Sequence, residues 1–239
     1  FVENVLEELD SPGEWCLDTD DGIVYFWAPD GQVAEGEVVV PVLDCLVDLC
    51  EAEYVTFSGF TFTETLSGDS YLRAGGAGYG IMYPEGAVKY CGDAIHMKQT
   101  RFCVIENNRF RNVGGNAIYL EGHNLWNIVR CNEIGHAGAG GVVLLGSMEQ
   151  HPLYNLVENN HIHHCGVVNK FCAAIFLGVS DGNIISHNLI EYIPNNGINL
   201  GNNVRGHNVI EYNEIHHTCQ ESEDMGAINS WMEGPDGNQ

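Results

Sequence analysis

The chain has 239 residues, 44% of them hydrophobic, and carries 33 acidic against 9 basic side chains, a formal net charge of −24. That size and apolar content suffice for one elongated core, and the charge argues against phosphate backbones and anionic lipid as partners, so neither nucleic acid nor membrane is expected. No apolar run approaches the roughly 18 residues of a membrane span, and the cysteines, without one Cys-x-x-Cys, read as small buried side chains instead of a metal cluster or disulfide framework.

Residues 1–40 stand apart from the rest of the chain. Pro12-Gly13 and Asp21-Gly22 turns around Trp15 and the run Ile23-Val24-Tyr25-Phe26-Trp27 predict a β-hairpin leading into a coil. Residues 41–239 are predicted to be that coil. A first, less regular rung runs from Val38 to Phe62, with Phe57-Ser58-Gly59-Phe60-Thr61-Phe62 where later copies carry a repeated motif. An insertion rich in Gly and Tyr spans Gly68 to Gly92, placed to wall a binding face, and shorter ones lie at Ser147 to Asn155, Gly166 to Phe171 and Gln220 to Asp224.

The motif is apolar-apolar-x-x-Asn-x-apolar. It occurs as Val104 to Phe110, Ile128 to Ile134, Leu156 to Ile162, Ile184 to Ile190 and Val209 to Ile215, with the fixed Asn at 108, 132, 160, 188 and 213. A period of this length signals a stacked solenoid. A second column of short strands opens on a small residue: Ala94-Ile95, Ala117-Ile118, Gly141-Val142, Ala174-Ile175, Gly197-Ile198 and Ala227-Ile228. Runs this short, β-branched and bounded by Gly, Asn and Asp are strands. The fold class is therefore all-β, a right-handed parallel β-helix of the pectate-lyase-like kind in a single domain, with two strand columns visible and the motif Asn residues bonding one another at a corner.

Side-chain alternation divides the second column into inward Ile and Leu and an outward set. His96, Tyr119, Phe176, Asn199 and Asn229 belong to that outward set, with Glu121 and Trp231 two residues along. Aromatic planes beside amides and a carboxylate are what a sugar ring needs, so these seven are the predicted substrate-binding residues. Lys98, Arg101, Arg109 and Arg111 form the one dense basic group and would have to serve any acidic polysaccharide.

Gly13-Glu14-Trp15 with Asp18, Gly22 and Tyr25, the Asn-bearing coils and Asp224-Met225-Gly226-Ala227-Ile228-Asn229 together resemble right-handed parallel β-helix carbohydrate-active enzymes, most closely glycoside hydrolase families 120 and 141. Those families usually read Asp-Gly-Gly-Ala-Ile-Tyr at the last segment, so Met225 and Asn229 depart from the pattern. The resemblance implies cleavage of a plant or microbial polysaccharide or oligosaccharide, and carries a catalytic expectation to Asp224. Glycoside cleavage normally takes two carboxyl groups, about 5 Å apart for retention and roughly 6.5–9.5 Å for inversion. Glu223 adjoins Asp224, and Asp181, in an Asp-Gly turn two rungs back, completes the catalytic candidates. Glu121, four rungs away at about 20 Å, is too distant to pair with Asp224. The best partner would sit one rung onward, so this chain alone is expected to lack half of its pair, with an end-to-end or other protein contact covering the last rung.

His136, His164 and His217 recur at one position of three rungs, but no carboxylate accompanies them, and a polar corner stack is expected ahead of a metal site. No Asp-rich loop offers the converging oxygens of calcium, so no cofactor is expected. An extracellular or periplasmic setting suits a polysaccharide substrate. A polysaccharide lyase and a non-catalytic glycan-binding or surface-structural coil are the alternatives.

Overall fold

The computed structural model describes residues 4–29, 38–67, 92–201, 206–221 and 225–230. Glu223, Asp224, Trp231 and the insertion as far as 91 therefore lie outside the described residues. Two units are distinguished, 1–39 and 40–239.

In the first unit a 3-10 turn, Leu6–Glu8, precedes a hairpin of Trp15–Asp18 antiparallel to Ile23–Phe26. The side chain of Asp18 accepts the amides of Asp20 (3.0 Å) and Asp21 (3.2 Å), and Gly22 closes the loop at φ +68, where a Cβ would be strained.

The second unit is built from three parallel sheets. Sheet A stacks Val47–Cys50, Ile95–Lys98, Ile118–Glu121, Val142–Leu145, Ala173–Leu177, Asn196–Leu200 and Ile228–Ser230. Sheet B stacks Thr56–Ser58, Val104–Glu106, Ile128–Arg130, Leu156–Glu158, Ile184–Ser186 and Val209–Glu211. Sheet C stacks Thr61–Thr63, Arg109–Arg111, Glu133–Gly135, His161–His163, Leu189–Glu191 and Glu214–His216. Each strand pairs with its counterparts one coil before and after, Ile128 with Val104 and Leu156 for example, which makes the unit a parallel β-helix.

The sequence pattern suggested two strand columns, and the described residues form three. Each copy of the motif is two strands on different sheets, bent at the residue before its Asn. That residue is left-handed in every copy: Asn107, Cys131, Asn159, His187 and Tyr212 have φ between 52 and 56. Such a conformation in a non-glycine residue costs of order a kcal/mol and persists only where neighbours enforce it.

Two rails of asparagine do so. Along the first, the backbone amide and the Nδ2 of each Asn both donate to the Oδ1 of the next, from Asn108 to Asn132, Asn160, Asn188 and Asn213, at 2.9–3.2 Å. Each Nδ2 also donates to a main-chain carbonyl one coil back, as Asn132 does to Ile105 at 2.9 Å. The second rail, Asn127, Asn155, Asn183 and Asn208, repeats this geometry at the opposite end of each sheet B strand. Its first rung is only an amide, that of Cys103, donating to Asn127 at 2.9 Å. The first rail ends likewise on the amide of Phe60 at Asn108.

Between the rails the inward residues form one continuous core. Ile105, Phe110, Ile118, Leu120, Ile134, Ile162 and Ile175 are all 0% exposed, each contributing about 1.5–3 kcal/mol by burial. Stacking of Phe62 on Phe110, centroids 4.9 Å apart, extends the core into the irregular first rung. The cysteines divide: Cys16, Cys103, Cys165 and Cys172 are buried as expected, whereas Cys50 and Cys131 are exposed, Cys131 because it occupies a corner. All the described cysteines are free thiols, and burial pushes that of Cys165 up to about 12.

Candidate functional site on the outer face of sheet A

The alternation expected for the second column holds. Ile118 and Leu120 enter the core, and Tyr119 and Glu121 point the other way. Strand pairing then lines up Asp48, His96, Tyr119, Val143, Phe176, Asn199 and Asn229 in one register row. Lys98, Glu121 and Leu145 form the next row.

The row has three zones. At one end His96, 2% exposed, lies between two carboxylates, with Nδ1 3.2 Å from Asp48 Oδ1 and Nε2 2.8 Å from Glu121 Oε2. Lys98 Nζ donates to the other oxygen of Glu121 at 3.1 Å. Below them Asp93, 1% exposed, accepts the amide and Nδ2 of Asn116, whose own Oδ1 takes the amide of Gly140. In the middle, Tyr119, Val143, Ala173 and Phe176 make a second apolar cluster with Leu145 against it. Phe176 is 0% and Tyr119 5% exposed, so neither offers an open ring face, and the aromatic platform anticipated for a sugar is enclosed here. At the far end Asn199 is buried, Asn229 is half-buried, and Gly226 N donates to Asn196 Oδ1 at 3.0 Å.

Electrostatics fix the protonation of the polar end. Burial pulls the pKa of His96 down, but hydrogen bonds to Glu121 and Asp48 outweigh it and leave it above the ordinary 6.5. The hydrogen bond from His96 lowers Glu121 below 4.5, with burial opposing and Lys98 assisting. Glu121 is thus a fixed carboxylate suited to accepting hydrogen bonds from hydroxyl groups and unsuited to donating a proton. The raised imidazole stabilises the fold fully below pH 6.5 and loses its contribution as pH climbs through its folded value. The lowered carboxylate contributes above pH 4.5 and fails as pH falls through its own. Comparing urea midpoints of the parent and Glu121→Gln at about pH 3, 5.5 and 9 should therefore show a gap of about 1 kcal/mol, discounted for partial exposure, that is widest at the middle pH.

Asp48 completes this cluster and was missed in the sequence. Its signal was present, since it holds the outward position of the irregular first rung in line with His96. Asp181 lies elsewhere, in the arc between sheets A and B. Its carboxylate pairs with His207 Nδ1 at 3.1 Å, and its main chain joins Pro152 and Tyr154, which is turn work. Three members of the basic group are paired with carboxylates, Lys98 with Glu121 at 3.1 Å, Arg101 with Glu53 at 3.6 Å and Arg109 with Glu133 at 2.8 Å. At the corner after sheet C, His136, His164, Tyr192 and His217 stack with centroids 4.7–5.1 Å apart, the polar column anticipated. Among the described residues no group of three or more His, Cys, Asp or Glu is gathered to hold a metal, and no helix is long and apolar enough to cross a membrane.

A family model described as "Right handed beta helix region" matches residues 93–222. A solved structure titled "Glycoside hydrolase" is similar over 95% of this chain and 46% of its own, with a TM-score of 0.73 and 19% identity. At that identity the likeness is one of fold, and this chain spans about half the length of that protein. A search of curated proteins found no match.

Proposed function

Because the chain belongs to the right-handed β-helix family, we propose that it forms part of a carbohydrate-active enzyme, a glycoside hydrolase, whose polysaccharide substrate lies along the outer face of sheet A. The observation that carries this reading is the polar group of Asp48, His96, Lys98 and Glu121 on the same outer face as Asn199 and Asn229, with Asp48 and His96 in their register row. Sugar hydroxyls are bound by such convergent carboxylates, amides and ammonium groups. Asp224 is the catalytic carboxyl of the proposal, with Glu223 beside it. It stands two residues before Gly226, which is tied to Asn196 at the start of the last described strand of sheet A. Cleavage would also take a second carboxyl about 5–9.5 Å from that of Asp224, and the proposed setting is extracellular or periplasmic, where polysaccharide is met.

Incubating the whole protein that contains this chain with a panel of neutral and acidic polysaccharides tests the reading. New reducing ends without ultraviolet-absorbing unsaturated products are expected. Unsaturated ends would make it a lyase, and glycan retention with no product would make it a binding module; either outcome overturns the hydrolase.

A further inference from the structure

Sheet C carries two His-His dipeptides, His163-His164 and His216-His217, two coils apart. In each, the first imidazole stands on the strand and the second at the left-handed corner, with φ of 50 at His164 and 51 at His217. The bend turns the two rings almost perpendicular, at 87° and 85°. Their Nδ1 atoms then face each other at 3.0 Å in the first pair and 2.7 Å in the second. Two neutral imidazoles so placed share one N–H between two lone-pair positions.

We propose that each dipeptide is a bidentate site for a divalent transition ion of tetragonal preference, of the Cu²⁺ or Ni²⁺ class. Metal–imidazole bonds of about 2.0–2.1 Å set cis ligands at 90° roughly 2.9 Å apart, whereas a tetrahedral ion needs about 3.3 Å. The spacings of 3.0 and 2.7 Å lie nearer the first value, and the rings need only turn their Nδ1 lone pairs from each other toward a common ion. Ligation requires each Nδ1 to be bare, so the proton of the donating ring moves to its Nε2 and none need be released. Carboxylates stand nearby, just beyond hydrogen-bond length: His216 Nε2 lies 3.7 Å from both Glu191 Oε2 and Glu214 Oε1, and His163 Nε2 lies 4.0 Å from Glu133 Oε1, so a small shift would bring either within reach. A carboxylate behind a ligating histidine is the usual outer support of metal sites. The ring of His163 lies over Gly135 of the neighbouring strand, where a Cβ would come within 2.5 Å of it, so a glycine there makes room for the ring. Waters would fill the remaining positions, in keeping with two protein ligands per ion. These sites lie on sheet C and are independent of the carbohydrate reading for sheet A.

The test is titration of the purified chain with Cu²⁺ in a non-coordinating buffer near pH 7.5, followed by visible absorption and by nitrogen hyperfine structure in electron paramagnetic resonance. The parent, His164→Asn, His217→Asn and the double variant are compared. Asparagine suits that corner because Asn112 already occupies it in the same column at φ 51. Each single variant should lose one equivalent of ion and the double variant two. A double variant that binds as many ions as the parent with equal affinity overturns the proposal. Substoichiometric Cu²⁺ should also broaden the imidazole resonances of His163, His164, His216 and His217 in the unaltered chain before any others, a reading that needs no variant; broadening that begins elsewhere would sink it.

Discussion

Replacing Asn160 with alanine is expected to lower the free energy of unfolding by about 3–5 kcal/mol. Asn160 is 1% exposed, and its Oδ1 accepts both the amide and the Nδ2 of Asn132, each at 3.0 Å. Its Nδ2 donates to Val129 O and to Asn188 Oδ1, again at 3.0 Å. Alanine leaves a buried amide, a buried carbonyl and a buried carboxamide short of partners, each costing about 1–3 kcal/mol. Against a total stability of roughly 5–15 kcal/mol this is a large fraction. Aspartate should be nearly as harmful, because the retained oxygen still accepts while the second faces Val129 O and Asn188 Oδ1 with no proton to offer. Urea titration with an unchanged m value reads the effect. The control is the exposed neighbour, Asn159→Ala, expected to cost no more than about 1 kcal/mol. Equal costs at Asn159 and Asn160 would remove the rail from the account of stability.

Asp224→Asn in the whole protein should reduce glycoside turnover by 10³-fold or more, on the order of what loss of an acid, base or nucleophile costs. Asparagine keeps the size of the side chain and its capacity to accept in a turn, and removes only the charge and the exchangeable proton. Unfolding midpoint and circular dichroism should therefore match the parent. Glu223→Gln is the discriminating companion, since a neighbour that only tunes Asp224 should shift the pH profile with a smaller loss of rate. Turnover within tenfold of the parent for Asp224→Asn, with Glu223→Gln inactive, would move the catalytic assignment by one residue.

The coil was legible because its signal is periodic and redundant: five copies of one motif, each a complete statement of which residues face inward. What the pattern hid was the bend. A seven-residue string with apolar positions at both ends reads as one strand, and only the left-handed φ at Cys131 or His187 shows that two sheets meet there. The second rail was also present in the sequence and overlooked, since Asn127, Asn155, Asn183 and Asn208 each stand five positions before a motif Asn. Cys103 holds that place in the first copy and breaks the column at its start. At the candidate site, alternation correctly gave the outward set. It could not give the depth of burial of Phe176 and Asn199, because alternation says which way a side chain points and nothing about how much of it water reaches. Asp48 escaped for a related reason: its rung lacks the motif that located the others.

The constancy of the spacing between the two rails has a consequence for how such a chain can change over time. From Arg101 to Val113, and in every later copy, the stretch that holds both rails and the corner after sheet C keeps the same length. All variation in the repeat falls in the two arcs that border sheet A, such as those from Leu145 to Leu153 and from Cys165 to Ala173. Residues can be gained or lost there without moving the rails, provided the last position of the arc before sheet B is kept, since the carbonyls of Thr100, Asn124, Pro152 and Ser180 accept from the second rail. The fold thus separates a part that tolerates no insertion from a part that accepts it freely, and the tolerant part frames the face on which recognition is proposed, so that specificity can drift while the scaffold stays still.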